Sequence, residues 1–202
     1  PGQQKLLSTD REQSTIPKGG TRDETWLYPS SQMFYNALQR KGKGDDVAED
    51  VVDAIIYSHN MLNEKTWRVV MAWEGMHYEN CPQPRLSRFT GRPDDLSPLA
   101  RLRKLFYDEE PFDRHDWIVD RCGEEVRYVI DYYFKEEHAG KPEAFDLVVR
   151  PAADSVGNIL DRIKMGIYVQ FYAWGLPCPV SFKKGNVGEN VTRATQEAQA
   201  GP

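Results

Sequence analysis

Four histidines and three cysteines are the residues of this chain best suited to hold a metal or move a proton. In the run Trp73-Glu74-Gly75-Met76-His77-Tyr78, His77 follows Trp73 by one helical turn, so the two side chains share a face. A neutral imidazole can ligate iron, and aromatic neighbours can cover a large apolar macrocycle such as a porphyrin. The same spacing fits a core histidine. His115, in Pro111-Phe112-Asp113-Arg114-His115-Asp116-Trp117, is placed at the entry to a strand. There a hydrogen-bonded structural imidazole is as ordinary as a functional one. His59, in Tyr57-Ser58-His59-Asn60, falls near the end of a helix and is expected to satisfy terminal carbonyls. His138 sits in a polar loop and is expected at the surface.

No two of Cys81, Cys122 and Cys178 lie two to four residues apart, so they form neither a zinc pattern nor an even disulfide framework. Free thiols are the simplest reading, with a single disulfide among them the alternative. Cys81-Pro82 and Cys178-Pro179 repeat a dipeptide found where haem meets a thiolate, though proline after cysteine also simply ends a helix. There is no phosphate-binding glycine loop, dinucleotide fingerprint, paired metal-ligand histidines on a helix or serine nucleophile elbow.

The elements that must position these residues change character midway. Residues 1–25 are polar and aperiodic and read as an extended N-terminal arm, lying on the body or disordered. A first helix begins at Ser30 or Ser31, carries Met33, Phe34, Ala37 and Leu38 on one stripe and stops at Lys41-Gly42-Lys43-Gly44. A second follows through Val47, Val51, Ala54, Ile55 and Met61, with Asp45, Asp46, Glu49 and Asp50 near its positive end. Asn63 then looks like the cap of a third, bearing Trp67, Val70, Trp73 and His77. Beyond Pro82 and Pro84 come a short strand over 85–90, a helix opened by Ser97-Pro98, and strands over 116–121, 125–134 and 144–150. Cys122-Gly123-Glu124 suits a hairpin turn, and the two-faced apolar pattern of 125–134 predicts a central strand covered on both sides. A last helix starts at Asp154 or Ser155. The fold class is α+β: a helical part first, then an antiparallel sheet of about three to four strands flanked by helices. Residues 26–175 form the main domain and 176–202 a tail.

Net charge is −5, from 31 acidic against 26 basic residues, which disfavours a nucleic-acid footprint and suits a basic protein partner. No stretch approaches the ~20 apolar residues that span a bilayer, so any membrane contact is peripheral. The chain begins Pro1-Gly2 without an initiator methionine, so an N-terminal portion, with any targeting signal, is expected to have been removed or left out.

Several segments together resemble the mitochondrial holocytochrome c synthase, or cytochrome c haem lyase, family. They are Leu7-Ser8-Thr9 through Ile16-Pro17, Tyr28-Pro29-Ser30 with Gln32 to Ala37, His59-Asn60 with Asn63-Glu64, and Trp73-Glu74 to His77. Phe112-Asp113-Arg114-His115-Asp116-Trp117, Glu125-Val126-Arg127-Tyr128-Val129-Ile130-Asp131-Tyr132-Tyr133 and Val149-Arg150-Pro151-Ala152 complete the set, over about residues 6 to 165. The resemblance implies attachment of haem b, bound as substrate, to apocytochrome c: each thiol of a Cys-x-x-Cys-His motif adds across a haem vinyl group. This chain contains no such motif, so it would be the attaching enzyme and not the acceptor. The implied location is the mitochondrial intermembrane space, peripheral on the inner membrane, with other membrane-complex partners an open expectation.

The resemblance further implies that His77 is the axial ligand of the haem iron, opposite the substrate's own histidine. Trp73, His115, Arg114, Arg127, Tyr28 and Phe34 are expected around the haem, the arginines either on its propionates or as structural partners of Asp113, Asp116 and Asp131. Where some relatives carry tryptophans after the first helix, this chain has Lys43-Gly44-Asp45-Asp46, and its last segment has no counterpart. Those departures keep two other readings in view, a non-catalytic binding or structural subunit and a haem chaperone.

Overall fold

The computed structural model describes residues 3–42, 47–141 and 144–176. It divides into two compact units, residues 1–65 and 66–202. The division falls inside a helix.

In the first unit, strand β1 (Gln13–Pro17) pairs antiparallel with β2 (Thr25–Leu27), with an irregular register between Gln13 and Pro17. The arm expected over 1–25 therefore carries ordered structure. Ser14 and Ile16 are buried at 3% and 2% exposure while their neighbours face out, a period of two too short to stand out from polar sequence. Helix α1 (Ser31–Arg40) opens with the Ser30 hydroxyl accepting from the Met33 amide at 3.3 Å. Leu7, Tyr35 and Val52 form the core of this unit, with Phe34 and Val47 packed against it.

Helix α2 runs unbroken over Val52–Glu74, preceded by a 3-10 turn at Glu49–Val51 and followed by another at Gly75–His77. The two helices expected here are thus one, and Asn63 is interior. Leu62, Thr66, Trp67 and Val70, all at most 7% exposed, carry the helix through a residue whose local preference is to cap. Asp45 and Asp46, placed near its start, lie outside the described residues.

The second unit is built on a four-stranded antiparallel meander of β3 (Arg85–Gly91), β4 (Asp113–Arg121), β5 (Glu124–Phe134) and β6 (Phe145–Pro151), in that spatial order. β5 is central and covered on both faces, as its pattern predicts: Tyr128, Ile130 and Tyr132 on one side and Val129, Asp131 and Tyr133 on the other are all buried. β4 starts three residues earlier than 116, which puts His115 within the strand and not at its entry. Helix α3 (Pro98–Tyr107) is capped by Ser97 and α4 (Val156–Ala173) by Ser155, each hydroxyl accepting from the third amide at 3.1 Å.

Arg121 pairs with Glu124 across a two-residue turn, Cys122-Gly123, whose φ values of 50° and 103° give the doubly left-handed hairpin turn that matches strand twist. That turn brings Cys122 to Cys81, with Cα atoms 5.5 Å apart and a disulfide between them. Free thiols at these two positions are thereby corrected. A sequence separation of 41 residues gives no local signal, and only the hairpin supplies the approach. Cys178, with the tail from 177 onward, lies outside the described residues.

Candidate functional site

In the second unit, the end of α2 is tied into the sheet by a buried polar chain. Glu74 is 2% exposed and receives two hydrogen bonds from Arg121, Nε at 2.7 Å and Nη2 at 2.8 Å, plus the Tyr128 hydroxyl at 2.5 Å. Burial opposes the Arg121 charge, but Glu74 outweighs it and holds the guanidinium above its ordinary pKa. Burial first, then Glu74, pushes the Tyr128 phenol well up. The Trp73 indole donates to the Val149 carbonyl at 2.9 Å, so this tryptophan fastens α2 to β6. His77 closes the chain: its Nε2 is 2.7 Å from Asp161 Oδ2 on α4, and Arg121 Nη2 stands 3.9 Å from the same oxygen. The His77 side chain is 22% exposed. The ring nitrogen engaged by Asp161 is Nε2.

Arg114 and Arg127 meet at a carboxylate. Asp116 accepts from Arg114 Nη2 at 3.1 Å, from Arg127 Nη1 at 3.1 Å and from Arg92 Nη1 at 3.2 Å. Burial works to raise the Asp116 pKa, and the three cations outweigh it and hold the group below the carboxylate range. Arg127 also donates to Asp154 at 3.0 Å, and Arg114 reaches Asp95 at 3.2 Å. Among the partners named for them, both arginines are thus engaged by Asp116. His115 Nε2 is 3.1 Å from Asp113, its ring meets Tyr132 edge-on at 5.4 Å, and its Nδ1 is buried without a hydrogen-bond partner. Gly91 lies opposite, where a Cβ would sit 3.3 Å from His115 Nε2 and would require the ring to give by a few tenths of an ångström.

In the first unit the N-terminal segment clamps α2. Glu64 accepts from Ser14 Oγ at 2.7 Å, Tyr28 OH at 2.9 Å and the Thr15 amide at 3.1 Å, as well as from the Thr15 hydroxyl. Burial alone would raise its pKa; these donors outweigh that and depress it. Burial pushes the Tyr28 phenol up. One turn earlier Asn60 Nδ2 donates to Glu12 at 2.7 Å. Asn60 and Glu64 thus share the clamped face. His59, rotated by about 100° from Asn60, is exposed, its ring 5.8 Å from that of Phe34 on α1. Met33 beside it in sequence to Phe34 is 47% exposed. Tyr28 and Phe34 therefore belong with His59 in this unit, while His77, Trp73, His115, Arg114 and Arg127 belong to the other. His59 sits in the middle of α2, far from the carbonyls it was expected to satisfy. Its signal was the i, i+4 pair Asn60 and Glu64, which marks the face it does not occupy. Among the described residues no group of three or more His, Cys, Asp or Glu is placed to hold a metal ion.

Residues 1–165 match the family model described as cytochrome c/c1 heme lyase. The chain belongs to the cytochrome c/c1 haem lyase family. It is 48% identical over 169 residues to the probable holocytochrome-c-type synthase of Caenorhabditis elegans, covering 81% of this chain and 60% of that protein. The holocytochrome c-type synthase of Homo sapiens is 46% identical over 170 residues, covering 82% and 63%, and the holocytochrome-c synthase of Saccharomyces cerevisiae is 44% identical, covering 81% and 69%. The chain thus spans about three fifths of the first of these haem lyase relatives. No solved structure gives a significant match. The run 43–46, where some haem lyases carry tryptophans, lies outside the described residues.

Proposed function

We propose that this chain attaches haem b, as substrate, to apocytochrome c, and that the observation carrying this is the haem lyase match over residues 1–165. Each step adds a cysteine S–H across a vinyl C=C: sulfur bonds one carbon, hydrogen the other, and no electrons are gained or lost. The work left to the protein is to fix the iron and the ring plane so that both vinyl groups lie beside the two thiols, a gain of proximity and orientation. A single histidine from the enzyme, opposite the histidine of Cys-x-x-Cys-His, supplies that fix and still permits product release. The charge of −5 favours encounter with a basic apocytochrome, chiefly through on-rate.

The ligand role is proposed here for His59 in preference to His77, and exposure supports that choice. An iron ligand must present a ring nitrogen on a surface open enough for a macrocycle. His59 is exposed beside Phe34, on a helix fastened by Glu12, Ser14, Thr15 and Tyr28, whereas the His77 side chain is only 22% exposed. His77 retains a second reading: with its Nε2–H given to Asp161, Nδ1 is oriented as in a carboxylate–histidine–metal arrangement. The two are separated by co-expressing the chain with apocytochrome c in a bacterium lacking other maturation machinery and measuring haem that survives denaturation. Wild type yields covalent haem, His59→Ala abolishes it, and His77→Ala lowers yield only as far as it lowers soluble protein. A fully active His59→Ala would sink the assignment, and an inactive wild type would favour the chaperone or non-catalytic reading.

The proposed location is the mitochondrial intermembrane space, peripheral on the inner membrane. The Cys81–Cys122 disulfide suits an oxidising compartment, and among the described residues no helix is long and apolar enough to cross a membrane.

A further inference from the structure

Helix α4 is turned inside out over its first three turns. Its inward residues Asn158, Asp161 and Met165 are 5%, 3% and 9% exposed, and two of these three are polar. Its outward residues are aliphatic: Val156 at 74% exposure, Ile159 at 44%, Leu160 at 49%, Ile163 at 54% and Ile167 at 38%. The inward polar groups are satisfied, Asn158 by the Ala152 carbonyl at 2.9 Å and Asp161 by His77 at 2.7 Å, so the helix is docked in the intended rotation. An aliphatic stripe on a correctly docked helix needs an occupant.

The charges around the stripe identify its chemistry. From Ser155 to Leu176 the exposed residues include a single charge, Lys164, and no carboxylate. The far end is aromatic: Tyr168 stacks on Tyr172 at 6.4 Å, Phe171 lies 6.2 Å from Trp174, and Trp174 is 63% exposed. Aliphatic side chains suit the acyl boundary of a bilayer, while tyrosine, tryptophan and lysine suit its headgroup level. Helix α3 makes the contrast. It exposes Leu99, Leu102, Leu105, Phe106 and Tyr107 as well, but interleaved with the ion pairs Arg103–Glu109 at 2.7 Å, Lys104–Glu110 at 2.5 Å and Arg101–Asp95 at 3.9 Å, whose carboxylates an anionic surface repels.

We propose that the outer face of α4 seats the chain on an anionic phospholipid bilayer, with the helix lying in the plane of the surface. The inference rests on the peripheral membrane placement above and names the element that makes it. The aliphatic stripe supplies most of the binding and Lys164 adds a preference for anionic headgroups.

The test uses the 202-residue chain and vesicles of phosphatidylcholine with phosphatidylglycerol, read by co-flotation and by the blue shift of tryptophan emission. Wild type floats with the vesicles and remains bound when salt is raised. Ile159→Asp and Ile163→Asp each weaken partitioning roughly tenfold or more, with unchanged circular dichroism. Ile163→Lys separates insertion from simple charge attraction: an inserted face binds more weakly, an electrostatic patch more tightly. Leu105→Asp on α3 changes nothing. Failure of wild type to float, flotation of Ile163→Asp at the wild-type level, or tighter binding of Ile163→Lys overturns the proposal. So does a dimer that these substitutions dissociate, since the occupant is then a second copy. Thioether formation is assayed separately in detergent: Ile163→Asp that makes product but does not float supports the proposal. A wild type that floats but makes no product also supports it, and refutes the lyase reading alone.

Discussion

Arg121→Met should be among the most damaging substitutions in the second unit, and its magnitude follows from what it leaves behind. Glu74 loses two charge-assisted hydrogen bonds, at 2.7 and 2.8 Å, and keeps only the Tyr128 hydroxyl, in a site where its side chain is 1% exposed. Removing one partner of such a pair costs about 3–5 kcal/mol, because an uncompensated carboxylate stays buried. At about 2–4 °C per kcal/mol for a chain of this size, the melting temperature falls by roughly 6–20 °C. Thermal and urea unfolding followed by tryptophan emission reads this well, since four of the five tryptophans, Trp67, Trp73, Trp117 and Trp174, lie in the second unit. The control is the double variant Glu74→Met with Arg121→Met. Taking both charges out of the core should recover at least ~1 kcal/mol relative to Arg121→Met alone. A single variant within about 0.5 kcal/mol of wild type, or a double variant no better than the single, would refute the reasoning.

Two further outcomes rest on separate features. Glu64 has a folded pKa depressed below its ordinary 4.5, so its stabilisation is full above that value and is lost as pH falls through the lower folded one. Glu64→Gln should therefore melt lower than wild type at neutral pH, by about 1–3 kcal/mol, and the gap should close as pH falls below 4.5 in a pH series of thermal melts. For the disulfide, a closed loop of 41 residues corresponds to about 4 kcal/mol in the chain-entropy account. Cys81→Ser with Cys122→Ser, or a mild reductant, should lower the urea midpoint accordingly, and mass mapping of the non-reduced protein should recover the Cys81–Cys122 peptide pair.

Much of the sheet was legible because its residues argue locally. The alternation of Tyr128, Ile130 and Tyr132 against Val129, Asp131 and Tyr133, and the serine caps at Ser30, Ser97 and Ser155, need only neighbouring sequence. What misled were residues whose local preference was overruled from a distance. Asn63 reads as a cap, yet Leu62, Thr66 and Trp67 are buried around it and the helix runs on. That false boundary turned His59 into a terminal imidazole. The partnership of His77 and Asp161, 84 residues apart, has no periodic trace at all, and neither does that of Cys81 and Cys122. For Arg114 and Arg127 the sequence leans towards aspartate partners over haem propionates without naming which aspartate, and the fold puts both on Asp116.

The register of β3 against β4 slips between Leu86 and Arg88, and in the strand order β3 stands at one end of the sheet. A flat end strand is a template on which another chain can add hydrogen bonds. The slip breaks the regular row of backbone groups along this one, while Arg88 reaches back over the sheet to Glu125 on β5 at 3.2 Å. Straightening that strand, by deleting Ser87 and replacing Arg88 with valine, would threaten solubility before it threatened stability. On that reasoning the irregularity in β3 disfavours strand addition between copies of the chain, and the straightened variant should form larger species by light scattering.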